Sequence, residues 1–190
     1  MRENTDTRSR IQEVALDLFT ERGYEATSLR EIAEVLGVTK AALYYHFRTK
    51  EDIVSSLTED RLAAMQRLID WAQTQPRTIE TRVELIRRYS EELRRGRHPQ
   101  VMSFMERNQA SLRDHPKMGG MRDKMLELVN LLSDVGDPPT TRLKCAFALF
   151  SLHAPWFLLR DQNMDDEELR QVGIQVAMEL IGADGPVSER

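Results

Sequence analysis

The stretch TSLREIAEVLGVTKAALYYHF, residues 27–47, constrains the fold more than any other part of this chain. Ser28 with Glu31 three residues on forms a capping box, Ile32, Ala33 and Leu36 make one apolar face, and Gly37 follows in the C-cap position. Thr39, two residues beyond that glycine, is already the N-cap of a further helix. The spacing therefore predicts two short helices joined by a tight glycine turn. Upstream, Ile11, Val14, Ala15, Leu18 and Phe19 recur at i, i+3, i+4, i+7 and i+8, with Gly23 closing the stripe. A longer helix before two short helices and a glycine turn describes a helix-turn-helix.

The third helix has two faces of different chemistry. Leu43 and Phe47, four apart and so about 40° from each other, mark its buried side. Ala41 and Tyr45 then face away, Ala42 and Tyr44 lie on the flanks, and Lys40 and His46 lie nearer the buried side with side chains long enough to reach outward. The two tyrosines cannot both be core residues. Ala41 and Ala42 let a helix approach a groove floor, Lys40 can reach base edges, and Tyr44, Tyr45, His46 and Lys50 can donate to phosphates. His46 also fits a satisfied helix-end histidine. Thr49 with Asp52 can cap the next helix and leave amide groups near Lys50 open to a phosphate.

Residues 13–57, EVALDLFTERGYEATSLREIAEVLGVTKAALYYHFRTKEDIVSSL, resemble the DNA-binding domain of the TetR family of transcriptional regulators. The resemblance rests on A-x-x-L-F-x-x-x-G-Y, T-S-x-x-x-I-A-x-x-x-G-V and L-Y-Y-H-F-x-x-K at uninterrupted spacing, over about a quarter of the chain. It implies that Thr27, Ser28 and Arg30 at the start of the second helix, and Thr39, Lys40, Ala41, Tyr44, Tyr45, His46 and Lys50 around the third, meet DNA. Lys40 and Arg30 would be the base readers. Ala41 and Ala42 stand where relatives often carry a hydroxyl or glycine, so methyl contact with thymine would replace a hydrogen bond there. The resemblance further implies a homodimer through the last two helices, double-stranded operator DNA as partner, and release by a small, largely apolar ligand. Control by a protein partner is the alternative.

Charge narrows how such a chain could hold DNA. The net charge is −4 and the sequence pI about 5.7, and residues 1–50 carry eight Lys/Arg against eight Asp/Glu, so contact must come from locally placed cations. No apolar run reaches the length of a membrane span, and MRENTDTRSR lacks a secretory apolar core, so a cytoplasmic protein is expected. The single cysteine, Cys145, makes no internal disulfide, and His98, His115 and His153 have no metal-ligand spacing; no metal or cofactor is expected. No nucleophile–base signature or glycine-rich phosphate loop appears, and MDDEEL reads as acidic complement to a helix N-terminus, so the chain is not expected to be an enzyme.

The remainder is helical by pattern, giving an all-α fold. A long helix from Lys50 to about Gln75 stops at Pro76, and further helices are predicted for Ile79–Arg95, Gln100–Arg113, Met121–Leu132, Arg142–Arg160 and Asp165–Ile181. The run CAFALFSLHAPWFLLR is apolar nearly all round and needs cover on more than one side, with Pro155 expected to kink it. The expected division is a three-helix helix-turn-helix DNA-binding domain over 1–50, a helical ligand-binding and dimerisation domain over 51–182, and a frayed tail over 183–190. Trp71, Tyr89, Phe104, Met105, Phe147, Phe150, His153 and Trp156 are candidates for the pocket that the resemblance implies. Read one by one, most of them fit an ordinary helical core better.

Overall fold

The apolar stripe from Ile11 to Phe19 lies on a helix that begins well before it. In the computed structural model α1 runs Arg2–Arg22, followed by α2 (Leu29–Leu36), α3 (Lys40–His46), α4 (Lys50–Gln73) and α5 (Ile79–Arg95). Then come α6 (Gly119–Leu132), α7 (Pro139–Ser151), α8 (Pro155–Leu158) and α9 (Asp166–Leu180). The structure describes residues 2–97, 100–101, 104, 119–159 and 162–183, and among these no strand occurs. Most of the predicted Gln100–Arg113 helix and residues 184–190 of the predicted tail lie outside the described residues. No described helix is long and apolar enough to cross a membrane.

The predicted punctuation operates locally. Ser28 and Glu31 form the full capping box, and Thr39 Oγ1 accepts from the Ala42 amide at 3.1 Å. Gly37, at φ 73°, closes α2: its amide donates to Ala33 and Glu34 carbonyls, and the Val38 amide returns to Ala33 at 3.0 Å. That left-handed position excludes most other residues at little cost to glycine.

Two compact units result, and their boundary differs from the expected one at residue 50. One comprises Met1–Arg61 and Gly96–Met118, the other Leu62–Arg95 and Gly119–Arg190, so the division falls inside α4. Polar and apolar contacts explain the shift. Gln12, buried on α1 although polar, donates to Ser56 Oγ at 2.8 Å and Asp60 Oδ2 at 2.6 Å, which ties the first three turns of α4 to α1. Val101 and Phe104 are buried with Phe19 and Tyr24 in the same core as Ile32, Leu43, Phe47 and Ile53. Each such apolar side chain withdrawn from water contributes about 1.5–3 kcal/mol.

The second unit packs α4 to α7 and α9 around Met65, Ile69, Ile86, Leu128, Leu149 and Ala177. The single helix predicted for Arg142–Arg160 is interrupted. Helix α7 ends at Ser151, residues 152–154 turn through bonds such as His153 N to Phe150 O at 2.9 Å, and Pro155 starts α8 at its first position. Proline has no N–H to give the Ser151 carbonyl, so the chain turns instead of merely kinking. That carbonyl lies against Gly173 of α9, where a Cβ would sit 2.8 Å from it and 3.3 Å from Leu152 Cα. Ser151 Oγ also donates to the Gly173 carbonyl at 3.1 Å. Gly173→Ala is therefore expected to lower stability by about 1–3 kcal/mol, despite the better helix propensity of alanine, because backbone cannot yield as a side chain can. Thermal unfolding followed by circular dichroism checks this; an unchanged or raised midpoint would refute the close packing.

Candidate nucleic-acid interface

Helix α3 is seven residues long, too short to hold its shape by itself, so its pose is set by what it buries. Leu43 and Phe47 are buried and belong to the first unit's core. The opposite side is open: Tyr44 is 51% and Tyr45 75% exposed, Lys40 and Ala41 are exposed, and Ala42 and His46 are half-buried. Both tyrosines are thus outward, and Tyr45 meets His46 edge-on with ring centroids 5.2 Å apart. Lys40 stands at the first turn with no ion pair among the described residues.

Helix α2 presents less than the sequence predicts. Thr27 is buried, and its hydroxyl donates to the Gly23 carbonyl at 2.9 Å and the Leu18 carbonyl at 3.3 Å, closing the α1–α2 corner. Its hydroxyl thus serves the fold, at a position for which the resemblance implies DNA contact. Ser28 and Thr39 are exposed but spend their hydroxyls on capping. Arg30 is exposed and bonded to Glu34 at 2.7 Å. A surface pair of this kind contributes about 0–1 kcal/mol and exchanges readily for a stronger acceptor. Glu31 is held below the usual carboxylate range, first by the Ser28 hydroxyl, then by the Ser28 amide.

The start of α4 carries the predicted Thr49–Asp52 cap. Asp52 Oδ2 accepts from the amides of Arg48 at 3.1 Å and Thr49 at 3.0 Å, while Thr49 Oγ1 accepts from the Asp52 amide. The predicted cap thus occupies the Arg48 and Thr49 amides. Lys50 is half-buried, its Nζ donates to the Tyr24 carbonyl at 2.6 Å, and it stands 4.5 Å from the Tyr24 ring centroid. The Tyr24 hydroxyl donates to Glu51 Oε1 at 2.8 Å. Tyr24 and Glu51 were given no role in the sequence reading. The signal was the tyrosine directly after Gly23, which a helix stripe does not claim.

The predicted pocket residues do not converge. Phe104 is buried in the first unit, 5.5 Å from Phe19 and 6.0 Å from Tyr24 between ring centroids, so it belongs to the helix-turn-helix core. Phe147 and Phe150 are 52% and 56% exposed on the outer face of α7, which removes them from an internal pocket. Met105 lies outside the described residues. Tyr89 and His153 share a 3.0 Å hydrogen bond whose direction follows the imidazole tautomer. Trp71 is half-buried beneath the Arg88 guanidinium, 4.1 Å from its ring centroid, and Trp156 is half-buried. A groove of about 390 Å³ between α4 and α5 is lined by Leu68, Glu84, Arg87, Arg88, Glu91, Glu92 and Arg95 and touches none of the eight predicted residues.

Comparison with known proteins converges on the first unit. Residues 11–57 match the model of the bacterial regulatory proteins of the tetR family. The HTH-type transcriptional regulator AcrR of Shigella flexneri is 47% identical over 57 residues, 30% of this chain and 26% of that protein. The HTH-type transcriptional repressor KstR2 of Mycobacterium tuberculosis is 35% identical over 72 residues, 38% of this chain and 32% of that protein. The chain thus spans about a quarter to a third of the length of these curated relatives. A solved transcriptional regulator from Aquifex aeolicus VF5 superposes with a TM-score of 0.66 at 20% identity, covering 94% of this chain and 99% of that one, a likeness of fold.

The Tyr24–Glu51 contact carries a pH signature. Glu51 is held below the usual carboxylate range first by its own backbone N–H and then by the Tyr24 hydroxyl, while burial, followed by Glu51, pushes the Tyr24 hydroxyl well up. A depressed carboxylate adds stability above its unfolded value and loses it as pH falls through the folded one. Tyr24→Phe should cost about 1–2 kcal/mol at neutral pH, with the difference from wild type shrinking as pH drops through the carboxylate range. Urea unfolding at several pH values measures it; a cost independent of pH would contradict the pairing.

Proposed function

We infer that this chain, which belongs to the TetR family of bacterial regulatory proteins, is a DNA-binding transcription regulator that acts as a homodimer. In this reading it represses by occupying a near-palindromic operator and is released by a small molecule. The observation that carries the reading is the division of α3: Leu43 and Phe47 inside, Lys40, Tyr44 and Tyr45 outside. A helix anchored on one face and bearing small, cationic and hydroxyl-bearing residues on the other has what a major groove requires. Repression accords with the KstR2 relatives, which are transcriptional repressors.

A single seven-residue helix reads too few bases to be selective, so two copies related by a two-fold axis are needed, with half-sites about 34–36 Å apart. The second unit supports that requirement. Leu143, Phe147 and Phe150 follow one another at i, i+4 and i+7 along α7 and remain in water, as does Val176 on α9. A second copy covering this face would account for a helix apolar nearly all round, and it turns Phe147 and Phe150 from pocket candidates into seam residues. A ligand that favours a different separation of the two reading helices then weakens DNA binding, and DNA weakens ligand binding reciprocally.

Two measurements test these parts. Lys40→Ala should cost about 1–3 kcal/mol on duplexes enriched by the wild-type chain from a random pool and should broaden the enriched motif; an unaltered motif and affinity would sink the assignment. Phe147→Glu combined with Phe150→Glu should halve the mass seen in sedimentation and abolish selective binding, while the first unit stays folded. A wild-type chain already monomeric would exclude the dimer.

A further inference from the structure

The first turn of α4 holds a lysine whose charge is committed inside the molecule. Lys50 Nζ lies 2.6 Å from the Tyr24 carbonyl and 3.4 Å from the Glu25 carbonyl, and 4.5 Å from the centroid of the Tyr24 ring. An ammonium has three N–H donors and no acceptor, so two carbonyls and a π face occupy its directions of attraction. The carbonyls come from the segment between α1 and α2, two to three residues before Thr27, which closes the corner. The neighbouring residue reinforces the tie, since Glu51 takes the Tyr24 hydroxyl at 2.8 Å. Asp52 fixes the start of the same helix by accepting from the Arg48 and Thr49 amides.

We propose that Lys50 is a positioning residue, which fixes α2 and α3 in their DNA-reading pose by locking the α1–α2 corner to α4, and not a phosphate contact. The inference rests on the reading of the chain as a DNA-binding regulator and specifies which cations do the binding. Phosphate attraction then falls to residues such as Lys40 and Arg48, whose side chains are exposed. The distinction has a thermodynamic signature, because a lysine that neutralises a phosphate releases counterions and steepens the salt dependence of binding. A lysine that holds the corner changes affinity and selectivity while leaving that dependence alone.

The test has two arms. In the free wild-type chain, an amine-reactive succinimidyl ester followed by mass spectrometry should modify Lys50 several-fold more slowly than the exposed Lys40. In the second arm, Lys50→Met and Lys50→Arg are titrated with a wild-type-enriched duplex and a scrambled one over a range of salt, at a temperature where circular dichroism reports full folding. Lys50→Met should bind more weakly at every salt and discriminate less between the duplexes, with the slope of log K against log salt unchanged. Lys50→Arg should restore both, since a guanidinium can donate to the same carbonyls and stack on the same ring. A slope lowered by about 0.9 per subunit for Lys50→Met, affinity equal to wild type, or modification as fast as Lys40 would each overturn the proposal. A wild-type chain that enriches no duplex would overturn the regulator reading, whereas rapid modification of Lys50 overturns this inference alone, so the two failures are distinguishable.

Discussion

Burial of Leu43 and Phe47 decides what α3 can do. A seven-residue helix pays most of the cost of nucleation and recovers few hydrogen bonds, so its stability has to come from packing. Those two side chains fix both the axis and the rotation of the helix, and rotation determines which residues meet solvent. A turn of α3 by one residue would move Tyr44 toward the core and present Leu43 to water. The surrounding core therefore does more than hold the first unit together: Ile11, Phe19, Ile32 and Ile53 belong to the cluster that sets which face of α3 is outward.

The same core reaches beyond the three helices predicted for it. Phe104 packs on Phe19 and Tyr24, and Tyr24 in turn carries Lys50 on its ring and Glu51 on its hydroxyl. One aromatic side chain thus joins the end of α1, the segment before α2 and the first turn of α4. Polar groups here are satisfied by each other, which is what allows charged residues to sit at the margin of an apolar cluster. In the proposed regulator, the residues that contact DNA and the residues that place them would be neighbours in sequence but distinct in role.

Much of this was legible in the sequence, and most of what was not has one cause. Capping boxes, the Gly37 turn and the inward face of α3 depend on residues within four positions of one another, and each was found as predicted. The partners of Thr27 and Lys50, the Leu18 and Tyr24 carbonyls, were not legible because they lie nine and 26 residues away and belong to backbone, which carries no sequence label. Phe104 was assigned to the second domain for the same reason: an apolar residue announces that it will be buried, not against what. The placement of Phe147 and Phe150 is a different case. A helix apolar all round was correctly seen to need two covers, yet which side faced its own subunit depended on Cys145, Ala148 and Leu149 filling the inner face. Pro155 was expected to kink a helix and instead separated two, because a glycine on α9 made room for the carbonyl it released.

The central claim is that the outward face of α3 lies in the groove of DNA while its inward face stays in the core. A photo-crosslinking amino acid placed at position 45, with a control at the exposed Glu80 of α5, tests it on duplexes enriched by the wild-type chain. The account predicts efficient crosslinks from position 45 to two clusters of nucleotides related by two-fold symmetry and about one helical turn apart, and none from position 80. Absence of crosslinks from position 45 in a complex that otherwise forms would contradict it.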